Sequence, residues 1–291
     1  MMISREAKSF ALLIALGLVW GSSYILIKRG LEVFSPGQVA TLRLSITALF
    51  FLPILLKDFR QMPWAHWKPL LAVGIVGNLL PFFFFALAQT RLSSSLTGII
   101  SSLTPLFTMV LGLLFFAVRI PLSRGIGVLL GLAGAIWLAL TGGAPLDDVG
   151  DQLLYASLVM LATICYAISA NLAKTYLQDI SSLQISTLSF IFILPFSLLW
   201  LYFSGAPGLL TQPESWQALG YIALLALLGT VIASLVFYRL VQLSDALFAS
   251  SVSYIIPFVA LGWGFLDGEY ISWQHFIGMG LILGGLYLGR K

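Results

Sequence analysis

The chain has 291 residues, of which 59% are apolar and 9% charged, with a net charge of +4 and a mean hydropathy of +1.01. Soluble domains carry roughly 25% charged residues, so a water-facing surface cannot be assembled here, and a soluble enzyme or a nucleic-acid-binding module is excluded. Cys165 is the sole cysteine and has no intramolecular disulfide partner. His66 and His275, the two histidines, are expected in or at the edge of short connections, so the composition implies neither a metal nor a cofactor.

The first apolar run, from Phe10 to Ile27, follows Arg5 and Lys8 as a signal peptide would. It is too long for one and nine more runs follow, so it is expected to be retained. A span needs about 20 mostly apolar residues, and breaks fall at charges and at Pro, Gly and Ser clusters. The predicted spans are 8–28, 36–56, 68–89, 94–117, 123–141, 152–173, 182–203, 216–238, 246–266 and 272–289. The predicted fold is therefore an all-α integral membrane protein of ten transmembrane helices, joined by short loops and packed as antiparallel neighbours.

Lys and Arg divide unequally across such a bundle. Arg5, Lys8, Lys57, Arg60, Lys68, Arg119, Arg124, Lys174, Arg239, Arg290 and Lys291 fall on the side of the N-terminus, against Lys28, Arg29 and Arg91 on the other. Positive residues stay in the cytoplasm, which predicts two cytoplasmic termini in an inner, or plasma, membrane. Asp147, Asp148 and Asp151 then form an acidic external link between spans five and six.

The halves resemble each other. Lys28, Ser35 and Leu42 fall opposite Lys174, Ser181 and Leu188 at an offset of 146. Ser101 and Pro105 fall opposite Ser253 and Pro257 at 152, and Gly127 and Gly134 opposite Gly278 and Gly285 at 151. Residues 1–145 and 146–291 are thus read as two five-helix repeats. Five is odd, so the second repeat enters the membrane inverted, a transporter signature.

Trp20-Gly21-Ser22-Ser23, then Lys28, Ser35-Pro36 and Leu42-Arg43, resembles the opening of the EamA family within the drug/metabolite transporter superfamily. Gly268-Glu269, followed by Gly278, Gly284 and Gly285, is similar to the family's closing pattern. The resemblance implies export or facilitated movement of amino acids or related metabolites. Glu269 departs from the repeat, since its nearest mate is Val118, so any role for it is asymmetric.

Several residues are candidates for the solute path. Arg43 lies inside span two, roughly 10 Å from its outer start at 1.5 Å per residue. A charge at that depth is costly and marks function, unless it snorkels outward or bonds carbonyls of span one. Pro105 and Pro257 lie mid-span at matched positions, where each removes a backbone donor and frees the carbonyl of Ser101 or Ser253. They are expected to be hinges or cavity walls, and otherwise static kinks. Trp20, Ser22, Tyr24, Asn78, Ser101, Tyr166, Asn171, Tyr238, Ser253, Tyr254 and Trp263 supply mid-membrane aromatic and polar groups suited to a small amphipathic solute. Singly, such residues also serve as interface anchors or helix-to-helix hydrogen bonds. Gly127 and Gly131 in span five, with Gly280, Gly284, Gly285 and Gly289 in span ten, predict close packing of these two spans, within the chain or in a homodimer.

No Walker A run is present, so no built-in ATPase is expected. No predicted span interior holds Asp or Glu; Asp245, Asp267 and Glu269 lie at span ends. That tilts the expectation toward a facilitator or exchanger rather than a proton-coupled carrier. The leading reading is a carrier for a small-molecule solute, amino acids first, in contact with membrane lipid. The alternatives are a multidrug exporter of lipophilic compounds, a membrane-embedded enzyme and a structural subunit.

Overall fold

The structure is a computed structural model that describes residues 5–116, 123–141, 149–243 and 246–290. The predicted positions Val118, Asp147, Asp148 and Asp245 lie outside the described residues. Among the described residues the regular structure is entirely helical. The helices are α1 (Arg5–Leu31), α2 (Pro36–Asp58), α3 (Trp64–Ala88), α4 (Ser94–Phe115), α5 (Ser123–Thr141), α6 (Val149–Tyr176), α7 (Ser182–Phe203), α8 (Ser215–Leu243), α9 (Ala246–Leu266) and α10 (Trp273–Arg290). Eight of them, all but α5 and α10, are long and apolar enough to cross a membrane, among the described residues. Phe115, Phe203, Phe265 and Leu266 are 73–79% exposed. Large apolar side chains so exposed at helix ends require lipid, not water, as their solvent. The chain is a multi-pass membrane protein.

Local sequence sets the starts and the interruptions. Ser35 caps α2 with Pro36 in the first turn, and the Gln38 side chain accepts from the Ser35 backbone N–H at 2.9 Å. Ser181 and Gln184 build the same reciprocal capping box on α7, at the 146-residue offset. Each box satisfies two backbone donors that the helix leaves unpaired.

The mid-span prolines, expected as hinges or static kinks of continuous helices, do not lie within continuous helices. They restart broken ones. In α4 the helix stops at Ser101, turns through Ser102 and Leu103, and resumes at Thr104 with Pro105 in its first turn. The Thr104 hydroxyl donates to the Ser101 carbonyl at 2.7 Å. In α9 a 3₁₀ turn, Ser251–Tyr254, precedes the restart at Ile256 with Pro257. Proline is well accommodated there because a first-turn N–H has no intrahelical partner to lose. Two further interruptions escaped the sequence reading. α3 widens into a π-helix at Ile75–Leu79 and α8 at Leu227–Ile232, again 152 residues apart. Pro81 accounts for the first in part, since it offers no N–H to the Gly77 carbonyl four residues back.

Packing follows a pattern unchanged when the halves are exchanged. α1 packs on α8 and α9, as α6 packs on α3 and α4. α2 packs on α8, as α7 packs on α3. The pairs α2–α7, α4–α9 and α5–α10 map onto themselves. The α5–α10 seam is close: a Cβ on Gly285 would stand 2.4 Å from the Gly127 carbonyl oxygen and 2.7 Å from the Gly131 nitrogen. The predicted glycine faces of these two helices therefore meet within the chain.

Candidate functional site

The four interruptions surround one cavity of about 100 Å³. α1 brings Trp20, Ser23, Tyr24 and Ile27 to it, spaced i, i+3, i+4, i+7 along one helical face. α6 brings Tyr166 and Ser169 from the opposite half. The π-segments supply Gly77 and Asn78 on one side and Gly229 and Thr230 on the other, 152 residues apart. The breaks in α4 and α9 supply Ser101, Thr104 and Ser253.

Two matched serine–glycine contacts hold the halves close at this depth. A Cβ on Gly77 would lie 2.4 Å from Ser169 Oγ, and one on Gly229 would lie 2.9 Å from Ser23 Oγ. Glycine at both π-segments lets α6 and α1 approach the widened backbone. Trp20 Nε1 donates to the Gly229 carbonyl at 3.0 Å. Tyr24 meets Phe85 edge-on at 5.6 Å between centroids, and Phe85 stacks on Tyr166 at 5.8 Å. These rings form an apolar wall beside the polar backbone.

Arg43 neither snorkels outward nor bonds carbonyls of α1. It is 5% exposed and crosses to α8, where Nε donates to Thr230 Oγ1 at 2.8 Å and Nη2 to the Gly229 carbonyl at 3.3 Å. The guanidinium carbon lies 3.6 Å over the Phe82 ring. Its mate at the 146-residue offset, Ser189, is fully buried. Trp20, Tyr24, Arg43, Asn78, Ser101, Tyr166, Tyr238 and Ser253 line the cavity together.

The other residues singled out stand elsewhere. Trp263 is 41% exposed and donates to Ser22 Oγ at 2.8 Å on the outer face of the bundle. Asn171 donates to the Thr108 carbonyl at 3.0 Å, tying α6 to α4. Tyr254 packs half-buried against the core at the α9 break. Pro105 and Pro257 open the second segments of their helices. Among the lining residues the sequence reading missed are Ser23, Ser169, Gly77, Gly229, Thr230 and Phe82. The first four were accessible to it: Ser23 and Ser169 share the 146-residue offset, and Gly77 and Gly229 the 152-residue one.

At one end of α1 sits an ionic cluster. Lys28 Nζ is 2.5 Å from Asp267 and 2.9 Å from Glu269, while Arg29 bonds Asp267 and also reaches Glu32 at 2.5 Å. Glu269 further accepts from the Ser94 and Ser95 backbone N–H groups at 2.9 and 3.0 Å and from both serine hydroxyls. It caps the N-terminus of α4 with a carboxylate, as the helix dipole favours. Burial alone would raise its pKa. The bonds from Ser94, Ser95 and Lys28 outweigh burial and hold the carboxyl down at about 2.

The EamA-like transporter family matches residues 7–140 and again residues 153–289. The chain belongs to this family. It is 25% identical over 284 residues to the inner membrane transporter YedA of Escherichia coli K12, covering 94% of this chain and 88% of that one. It is also 25% identical over 297 residues to a protein of Salmonella typhimurium named a probable amino-acid metabolite efflux pump, covering 98% and 95%. A solved crystal structure aligns over 98% of this chain and 96% of its own with a TM-score of 0.67, at 17% identity. That likeness concerns the fold alone. Family membership supports a membrane-transporter role.

Proposed function

We propose that the protein carries small metabolites, amino acids foremost, across a bacterial-type inner membrane by alternating access. Its working parts are two inverted five-helix repeats, residues 1–145 and 146–291, with both termini cytoplasmic. The observation that carries the reading is the cavity between four interruptions that pair at a constant 152-residue offset. Exchanging the conformations of two inverted repeats turns an inward-open shape into an outward-open one, and interrupted helices localise the bending. The exchangeable packing of α1 with α8 and α9, and of α6 with α3 and α4, supports the inverted arrangement. The Salmonella relative's name supports amino acids as the first solutes to test.

The multidrug reading is weaker on electrostatic grounds. Arg43 is the one charged side chain among the described residues lining the cavity. A cationic dye brought to about 4 Å from it would meet a repulsion on the order of 4 kcal/mol at an effective dielectric constant near 20. The deciding experiment is a flux screen in proteoliposomes over amino acids, sugars, nucleotides and cationic dyes. Amino acid flux that depends on the protein supports the proposal. Flux of dyes alone overturns it in favour of multidrug efflux.

A further inference from the structure

We propose that Arg43 anchors a carboxylate: the cavity takes small organic carboxylates by their anionic group, and an ammonium on the same solute is not required. The proposal deepens the transporter reading and rests on it.

A guanidinium remains charged at any physiological pH, and a charge buried in a bundle is expected to have an opposite charge beside it. Arg43 has none. Among the described residues the ion pairs join Lys28 and Arg29 to Asp267, Glu269 and Glu32, and Arg43 belongs to none of them. Its contacts are neutral: the Thr230 hydroxyl, the Gly229 carbonyl and the Phe82 ring. Those contacts occupy Nε and Nη2 and fix the guanidinium plane. Nη1 makes no hydrogen bond to the described residues, so the cation keeps a donor free at the cavity. A second donor accompanies it. Asn78 is 5% exposed, and its Nδ2 stands beside the Tyr238 hydroxyl without a hydrogen bond of ordinary geometry among the described residues.

A charged donor with a free N–H, beside an amide donor with only a poor partner, calls for an acceptor that carries negative charge. A carboxylate has the planar geometry that guanidinium donors match best. A phosphate or sulfate would bring a second charge, for which no second cation lines the cavity among the described residues. The aromatic wall of Tyr24, Phe85 and Tyr166 suits an apolar body attached to the acid. The described lining residues include neither Asp nor Glu, so an ammonium would find only neutral oxygens there and adds little to recognition.

The test uses purified full-length protein in detergent and matched triplets: leucine and phenylalanine, their deaminated carboxylic acids, and their decarboxylated amines. Binding is read as a ligand-dependent rise in melting temperature, and flux is measured on the same solutes in proteoliposomes. The carboxylic acids are expected to bind about as well as the amino acids, and the amines to bind roughly tenfold to a hundredfold more weakly, the difference made by a hydrogen bond to a charged group. Arg43→Gln should abolish the preference for acids over amines, with Arg43→Lys intermediate because lysine lacks the planar fork. Amines that bind wild-type protein as tightly as the acids overturn the proposal, whatever the variants do. So does an acid that leaves the melting temperature unchanged. Carboxylate recognition then fails while flux of any other solute leaves the transporter reading standing. Absence of flux for every solute of the wider screen removes the transporter reading itself.

Discussion

Lys28 and Glu269 are 241 residues apart in sequence, and their charged groups meet at 2.9 Å. Through this contact, and through the bonds of Glu269 to Ser94 and Ser95, the end of α1, the start of α4 and the α9–α10 connection are fastened at one end of the bundle. In the proposed topology that end is external. Lys174, the mate of Lys28, reaches the Val241 carbonyl.

Glu269→Gln is expected to lower stability at neutral pH by on the order of 2 kcal/mol, since it removes charge-assisted bonds to a buried acceptor. The sign of the pH dependence follows from the depressed pKa. The folded-state carboxyl titrates at about 2, below its ordinary value near 4.3. Its stabilisation is therefore complete above the ordinary value and is lost as pH falls toward 2. Melting curves of wild type and Glu269→Gln should converge over that interval. A constant gap down to pH 2 would show that the carboxylate charge is not what holds this end together.

Gly77→Ala should cost about 1–3 kcal/mol through overpacking and reduce flux per folded protein, because its Cβ would stand 2.4 Å from Ser169 Oγ. Gly229→Ala should follow more mildly, with Ser23 Oγ at 2.9 Å. The informative measurement is the double variant Gly77→Ala with Ser169→Gly. Contacting residues couple, so it should recover stability lost in the single variant. Additive losses would mean that the π-segment needs glycine for its backbone alone.

Ser101→Cys and Ser253→Cys, each in a Cys165→Ser background, should react with membrane-impermeant thiol reagents, and added solute should change the rate. Both serines line the cavity at the paired breaks. If neither labels from either side in active protein, the cavity is not on the solute path.

Both termini should be cytoplasmic, as the Lys and Arg distribution predicts. A C-terminal fusion to a fluorescent protein that folds only inside should be bright, and one to a phosphatase active only outside should be silent. The reverse outcome would overturn the inverted-repeat topology as drawn, with its cytoplasmic termini.

Much of the scaffold was readable because lipid imposes a simple rule. Hydropathy located the helices, and Ser35 with Pro36, and Ser181, marked two helix starts. Pro105 and Pro257 pointed to the breaks at Ser101 and Ser253, although the backbone restarts there rather than bending. The π-segments were not readable. Gly77-Asn78 and Gly229-Thr230 leave no change of apolar period, and a single widened turn is set by what packs against it. Lateral neighbours were equally hidden, since hydropathy gives depth but not azimuth. Ser22 and Ser23 are adjacent in sequence but point about 100° apart on α1. One meets Trp263 on the outer face and the other faces the cavity. Arg43 was recognisable as a charge out of place, but its partners lie 186 and 187 residues away.

In the proposed carboxylate cycle, the uncompensated Arg43 also sets where voltage acts. An empty cavity holds one net positive charge, and a cavity loaded with a monocarboxylate holds none. The membrane potential, which does at most about 2.3 kcal/mol of work per elementary charge per 100 mV, then acts on the return of the empty carrier and leaves the loaded step untouched. One-for-one exchange of carboxylates is electrically silent, and net flux of one carboxylate moves one charge.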